Sequence, residues 1–323
     1  AGPARPLKHQ HQAAFDIFDY PGEYEERGEG QRIAAVRIEE MRHQFDHFNG
    51  EGNAAGLATG GLFKLLEHPR DDQNQEYLIV EADYRVEESP LESELATTEL
   101  IGLRFRAIPS AQIFHPPRLT PKPIVQGPQT AIVVGPAGDE IHTDKYGRVK
   151  VQFHWDRYGK KDQNSSCWIR VSHPWAGQNW GMIAIPRIGQ EVIVEFLEGD
   201  PDRPIITGRV YNADQMPPYA LPANMTQTGI KTRSSKGGGV TNFNEIRFED
   251  KKGAEQVYIH AEKNQDIVVE NDETTNVGHD RTETVGHDET ITIHNDRTET
   301  VDGNETVSIK KNRTHSVDGN ETV

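Results

Sequence analysis

The side chains able to do chemistry are few and far apart. Cys167 is the single cysteine, with His154 and His173 near it in sequence. A thiol nucleophile needs a base to take its proton, so this trio is the first constellation to weigh. A small apolar thiol buried in a β-barrel accounts for Cys167 better. Ser172 beside His173 lacks the strand–turn–helix setting of a nucleophile elbow. Fourteen histidines invite a metal reading, yet no HExxH or paired Cys/His spacing appears. Asp200 and Asp202 in "EGDPDRP" read as an inter-strand turn before they read as acid/base or calcium ligands. "KGGG" (236–239) is not a Walker loop. The expectation is a chain with no catalytic residues, no metal and no cofactor.

One histidine pair points to a more informative feature. His279 and His287 occupy the same place in a repeat of eight residues, so they could stack across chains. Asn295, Gly303 and Lys311 follow at that place, which favours a solvated or hydrogen-bonded pair over a metal site. The repeat opens at Val269, Val277, Val285, Ile293, Val301, Ile309 and Val317, seven β-branched anchors in a row. Its sixth position is threonine every time, and its fourth is Asp or Asn, a turn former between β-prone residues. The pattern predicts a strand and a corner in each octad.

Eight residues with β-branched anchors fit neither a heptad coiled coil nor a helical solenoid. Each octad offers one core side chain, whose burial is worth about 1.5–3 kcal/mol. Ordering eight residues costs about 8–16 kcal/mol of backbone entropy. Ladder hydrogen bonds at about 1 kcal/mol net each bring the sum near balance only where every strand has neighbours above and below. Three identical chains wound together satisfy that, each octad filling one face of a triangular β-helix. At a strand spacing of about 4.8 Å, seven octads make a rod on the order of 34 Å long.

The fifth position alternates in sign: Glu273, Arg281, Glu289, Arg297, Glu305, Arg313, Glu321. In an intertwined trimer the strand stacked on a given octad belongs to another chain, one repeat out of step. Each Glu then meets an Arg, and the alternation acts as a register lock. A solvated charged face without pairing is the alternative. The face that the fifth position occupies stays open at this level.

Composition frames these elements. The 323 residues carry 35 Lys+Arg against 51 Asp+Glu, a net charge of −16, with 34% hydrophobic residues. That supports some cores but not a globule throughout. The acidic balance argues against nucleic acid as the main partner. A lone cysteine excludes a disulfide framework and suits a reducing compartment. The opening "AGPARPLKHQ" lacks a signal-peptide pattern, and no apolar run has the length of a membrane span. Residues 1–120 hold 12 basic and 21 acidic side chains, 121–222 hold 11 of each, and 223–323 hold 12 and 19.

Four regions follow. Residues 1–120 form a β-rich base domain with one helix. The helix is predicted over 31–47 from Ile33, Val36, Met41 and Phe45, ending before a Gly50–Gly52 break. Strand-like runs lie at 61–68, 76–88 and 99–108. Six prolines between 109 and 128 mark an extended connection. Residues 121–222 carry short runs at 130–135, 147–155, 167–173, 181–186, 191–197 and 203–211, which suit a small OB-type barrel. All four tryptophans, Trp155, Trp168, Trp175 and Trp180, fall inside it. They are expected in the barrel core or between subunits; a stacking platform for bases or sugars is the alternative. Residues 223–268 read as a transition hairpin and 269–323 as a truncated triple-stranded β-helix. The fold class is mainly β.

The barrel stretch 127–212, the run "SSKGGGVTNFNEIRFEDKKGAEQVYIHAEK" (234–263) and the octads after it resemble the valine-glycine repeat family, VgrG. "FDYPGEYEERGEGQRIAAVRIEEM" (18–41) and "LFKLLEHPRDDQNQEYLIV" (62–80) resemble the later part of that family's base domain. The family is the spike of the type VI secretion system, similar to the hub and needle of contractile phage tails. The resemblance implies a homotrimer assembled in the bacterial cytoplasm, then secreted into a target cell or the medium. It implies an Hcp tube and a PAAR-type tip protein as partners, effectors as cargo, and a target membrane pierced mechanically, without enzymatic activity. A base domain that starts upstream of residue 1, and an octad cut at its seventh position by Val323, lead to the expectation of a truncated chain. Two other readings stand beside it. One is a phage hub and needle with a cell-wall hydrolase, for which 213–233 is far too short; the other is an OB module binding oligonucleotide or sugar.

Overall fold

The structure is a computed structural model that describes residues 16–44, 46–87 and 100–322. The N-terminal decapeptide, Phe45 of the helical pattern, the outer ends of the runs 76–88 and 99–108, and Val323 lie outside the described residues. The fold is mostly β, with one α-helix among the described residues. The chain divides into two compact units, Ala1–Ala223 and Asn224–Val323.

In the first unit, helix α1 runs Arg27–Arg42, earlier than the predicted 31–47, and closes where His43 N–H donates to Glu39 O at 3.2 Å. The glycines expected to break the chain instead lie in a strand, β1 (Phe48–Gly52). Gly50 faces the Phe105 ring, and a Cβ there would collide with it. A small residue was required by a close approach, not by a turn. Strands β2 (Leu62–Lys64), β3 (Glu76–Glu87) and β4 (Leu100–Pro109) complete an antiparallel sheet in the order β1-β4-β3-β2. Phe48, Phe63, Tyr77 and Phe105 form one aromatic cluster, with Phe63 stacked on Tyr77 at 5.5 Å.

The proline-rich stretch that follows has no regular element but is tied down along its length. His115 Nε2 lies 2.8 Å from Glu39 Oε2 on α1, and Arg118 pairs with Glu23 at 2.9 Å. Further on, Lys122 pairs with Asp200 at 2.8 Å and with Asp202 at 3.1 Å. Val125 N–H then donates to Gly199 O at 2.8 Å. Proline removes backbone donors, so side chains take over the fastening.

The barrel comprises β5 (Gln129–Val134), β6 (Lys150–Phe153) and β7 (Arg170–Val171). A separate hairpin follows, β8 (Trp175–Gly177) with β9 (Trp180–Met182), and then β10 (Glu191–Phe196) and β11 (Pro204–Val210) close the set. The sheet order is β6-β5-β10-β11-β7, with β11 and β7 parallel. An antiparallel bridge between Val149 and Ile169 joins the two ends through N–H···O bonds of 3.0 and 2.8 Å. The sheet thereby closes on itself as a five-stranded barrel of OB type. Alternating residues of β10 point inward, Val192 and Val194, and meet Ala131, Val133, Val149, Val151, Ile169 and Ile206.

Two expectations about the barrel are corrected. Residues 181–186 are not a barrel strand: the hairpin ends at Met182, and Ala184 O accepts from the Arg209 side chain instead of from a strand backbone. The four tryptophans do not fill the core of a single chain, which is aliphatic. Trp155, Trp175 and Trp180 are exposed and Trp168 is half-buried. A barrel of five short strands has too narrow an interior for indoles, and branched aliphatics fill it.

The second unit starts with β12 (Gln227–Lys231), β13 (Glu245–Glu249) and β14 (Gln256–His260), an antiparallel sheet in chain order. It has three strands where a two-stranded hairpin was expected. From residue 261 to 322 no strand forms within the chain. Bends recur instead at 270–271, 278–279, 286–287, 294–295, 302–303, 310–311 and 318–319. They fall on the second and third octad positions, so the Asp or Asn at the fourth follows the corner and does not make it.

Candidate functional site

Nothing resembling a catalytic centre assembles around the residues weighed for chemistry. Cys167 is exposed, not buried as expected, because the barrel interior takes its neighbour Ile169. His154 Nε2 lies 3.2 Å from Thr130 Oγ1 and 4.0 Å from Glu191 Oε1, and His173 Nδ1 lies 3.5 Å from Ala184 N. Each imidazole is engaged away from the thiol. The Glu191 carboxyl is held below its usual range by Asn212, which donates at 2.8 Å, and by Thr130. Asp200 and Asp202 sit in the turn between β10 and β11, as expected, and receive Lys122. The Lys122 hydrogen bond holds the Asp200 carboxyl low, and the two carboxylates hold the ammonium high. Among the described residues no group of three or more His, Cys, Asp or Glu could hold a metal ion. His279 and His287 each pair with the next aspartate, at 2.9 and 2.8 Å, in full solvent.

The octads leave their aliphatic anchors bare. All seven octad anchors stand about half exposed, between 43% and 53%. A β-branched row with no ladder of its own needs partners for both its side chains and its backbone groups. The fifth position carries ion pairs within the chain. Arg281 Nη2 lies 3.0 Å from Glu283 Oε2, and Arg297 Nη2 lies 2.9 Å from Glu299 Oε2. Fifth and seventh side chains therefore share a side, with the threonine between them. His315 at a seventh position reaches Glu321 at the next fifth, 3.3 Å away.

These pairs expose a pattern that the octad reading missed. After each Glu at position five the described seventh residue is Thr275, Ile291 or Val307; after each Arg it is Glu283, Glu299 or His315. The repeat is sixteen residues long at these positions. The signal was present in the sequence and was hidden by aligning the anchors alone.

Three tryptophans add to the bare surface, and Trp168 lies half-buried. Trp175 and Trp180 face each other edge-on across the β8–β9 hairpin at 5.1 Å, each more than half exposed. Trp155 stacks on Phe153 at 5.2 Å, and its indole N–H donates to Gln129 Oε1 at 3.0 Å. Trp168 lies 4.9 Å from the His142 ring and under the Lys150 ammonium at 5.1 Å.

Comparison with known proteins gives three stretches a counterpart. Residues 1–90 match the family described as the phage tail baseplate hub, GPD. Residues 129–211 match the type VI secretion system/phage-baseplate injector OB domain. Residues 228–323 match the bacteriophage T4 gp5 C-terminal trimerisation domain. Among curated relatives, the type VI secretion system spike protein VgrG1b of Pseudomonas aeruginosa is 59% identical over 284 residues, 86% of this chain and 38% of its own length. VgrG1a of the same organism is 58% identical over 281 residues, 85% of this chain and 43% of its own length. The chain thus spans about two-fifths of the relatives it matches. An Escherichia coli type VI secretion component described as structurally similar to the T4 tail proteins gp27 and gp5 aligns over 58% of this chain and 44% of its own. The two are 24% identical, with a TM-score of 0.41.

Proposed function

Since this chain belongs to the VgrG family of type VI secretion spike proteins, we propose that it is the hub-to-needle part of a trimeric, membrane-puncturing spike. The observation that carries the reading is the segment 269–322: a bend in every octad, seven half-bare aliphatic anchors, and no strand pairing within the chain. Two further copies supply what one chain lacks, each octad pairing above and below with octads of its neighbours. Val269, Val277, Val285, Ile293, Val301, Ile309 and Val317 then line the trimer axis, and the ladder from Glu273 to Glu321 sets neighbouring chains one octad apart. The domain boundaries follow the sequence reading, with base over 1–120, barrel over 121–222, transition over 223–268 and rod over 269–323.

The spike acts mechanically and without catalysis. Every strand of such a rod is bonded to two other chains, so no local unit can unravel alone under axial load. The base and barrel dock on an Hcp tube, a PAAR-type protein caps the needle, and effectors ride on either. Assembly takes place in the bacterial cytoplasm, and the spike is then expelled. Sedimentation of the purified chain tests the reading. A particle of three times the 36.3 kDa of one chain is expected; a stable monomer with an ordered C-terminal segment would overturn it.

A further inference from the structure

The sheet β12–β14 is inside out. Its register pairs Thr228 with Phe248 and Val257, and Ile230 with Ile246 and Ile259, so these six share one face. The five apolar ones are all exposed, and no charge interrupts them. The opposite face carries the charges, and it is the covered one. Glu245 is 3% exposed and lies 3.7 Å from Arg247, whose guanidinium sits over the Tyr258 ring at 4.8 Å. Lys231 caps the Phe243 ring at 3.8 Å, and Phe243 packs on His260 at 4.7 Å. The unit thus covers the polar face with its own residues and leaves the apolar face open.

Two observations identify the occupant. The match to a trimerisation domain begins at residue 228, within β12, so the sheet lies inside the region shared with a trimer-forming fold. An uncharged face can also meet copies of itself without like-charge repulsion. The octads, for their part, set their register only to within sixteen residues. A slip of eight residues puts Glu on Glu and Arg on Arg, which costs stability. A slip of sixteen realigns the anchors and the fifth-position signs, and brings Glu283 to Glu299 and Ile291 to Val307. Repeating strands with equivalent registers slip unless something that does not repeat holds them.

We propose that the apolar face of β12–β14 is a registration clamp: it packs against the same face of two other copies and fixes the stagger at which the octads zip. The clamp assembles first, because it concentrates five large apolar side chains in fifteen strand residues where the rod has one anchor in eight. This inference rests on the trimeric reading above.

The test compares two full-length double variants, Ile246→Ser/Ile259→Ser in the sheet and Val285→Ser/Val301→Ser in the octads. Both are refolded from denaturant beside the wild type at equal concentration and sized by light scattering. The octad variant is expected to regain trimer. The sheet variant is expected to lose trimer yield by about tenfold or more while its barrel keeps its native tryptophan fluorescence. Equal trimer yields from the two variants would overturn the clamp. Should the sheet variant lose its barrel too, the milder Phe248→Ala is compared with Val285→Ala, and equal yields overturn it there as well. A wild type that never trimerises would sink the spike reading instead.

Discussion

Arg297 and Glu299 meet at 2.9 Å, two residues apart in one octad. The contact places the fifth and seventh positions on one side of the strand. It also gives each Arg in the ladder a carboxylate of its own, except Arg313, which has His315 at that place. The fifth positions therefore carry Arg–Glu pairs at Arg281 and Arg297 between single glutamates, not bare alternating charges.

Reversing one rung tests it. Arg297→Glu puts a carboxylate beside Glu299 and, in the trimer, opposite Glu289 and Glu305 of neighbouring chains. The melting temperature should fall at low salt, and the loss should shrink at about 1 M salt, where screening acts within roughly 3 Å. Calorimetry at the two salt concentrations measures this, and an unchanged melting temperature at low salt would remove the register lock.

The anchors should respond differently. Val285→Ala removes two methyl groups from each chain and, once the rod forms, leaves a gap costing roughly 1–3 kcal/mol per chain. The unfolding midpoint of the trimer should drop with no dependence on salt. Thermal melts across a salt series check it.

The tryptophans separate core from surface. Trp175→Ala and Trp180→Ala should leave the barrel folded, because neither indole enters its aliphatic core, whereas Val194→Asp should unfold it by burying a lone charge. Circular dichroism distinguishes the two. Addition of an oligonucleotide or a chitin oligomer to the wild type should leave tryptophan fluorescence unquenched; saturable quenching would support the stacking-platform alternative.

The clasp between Lys122 and Asp200 predicts a pH window. Asp200 has a folded pKa below its unfolded value, so its contribution is present above the ordinary carboxylate pKa and is lost as pH falls through the folded one. Lys122 is raised, so its contribution is complete below the ordinary lysine pKa and is lost as pH rises through the folded one. The proline-rich stretch should stay fastened across neutral pH and loosen at both extremes. Hydrogen exchange at Val125 N–H reads this, and Asp200→Asn should raise exchange there at pH 7.

Much of the barrel is legible one strand at a time. The runs at 130–135, 191–197 and 203–211 alternate or cluster β-branched residues between Gly and Pro signals, and strands form there. The failures share one cause. Residues 181–186 look like a strand, Gly50 looks like a break, and four tryptophans look like a core, because type and spacing report what a residue favours without naming its neighbour. The ring of Phe105, the Arg209 guanidinium and the width of the barrel decided those three.

The sequence alone determined the period, the anchors and the alternation of charge, since a repeat is a local property that survives without coordinates. Only the tertiary structure decided which surfaces a single chain can cover for itself. It covers the barrel interior through the Val149–Ile169 closure, and the polar side of β12–β14 through Phe243 and Tyr258. The octad anchors and the apolar sheet face stay bare. Burial is set by contacts between residues distant in sequence, and the described residues of one chain supply too few of them to cover these two surfaces.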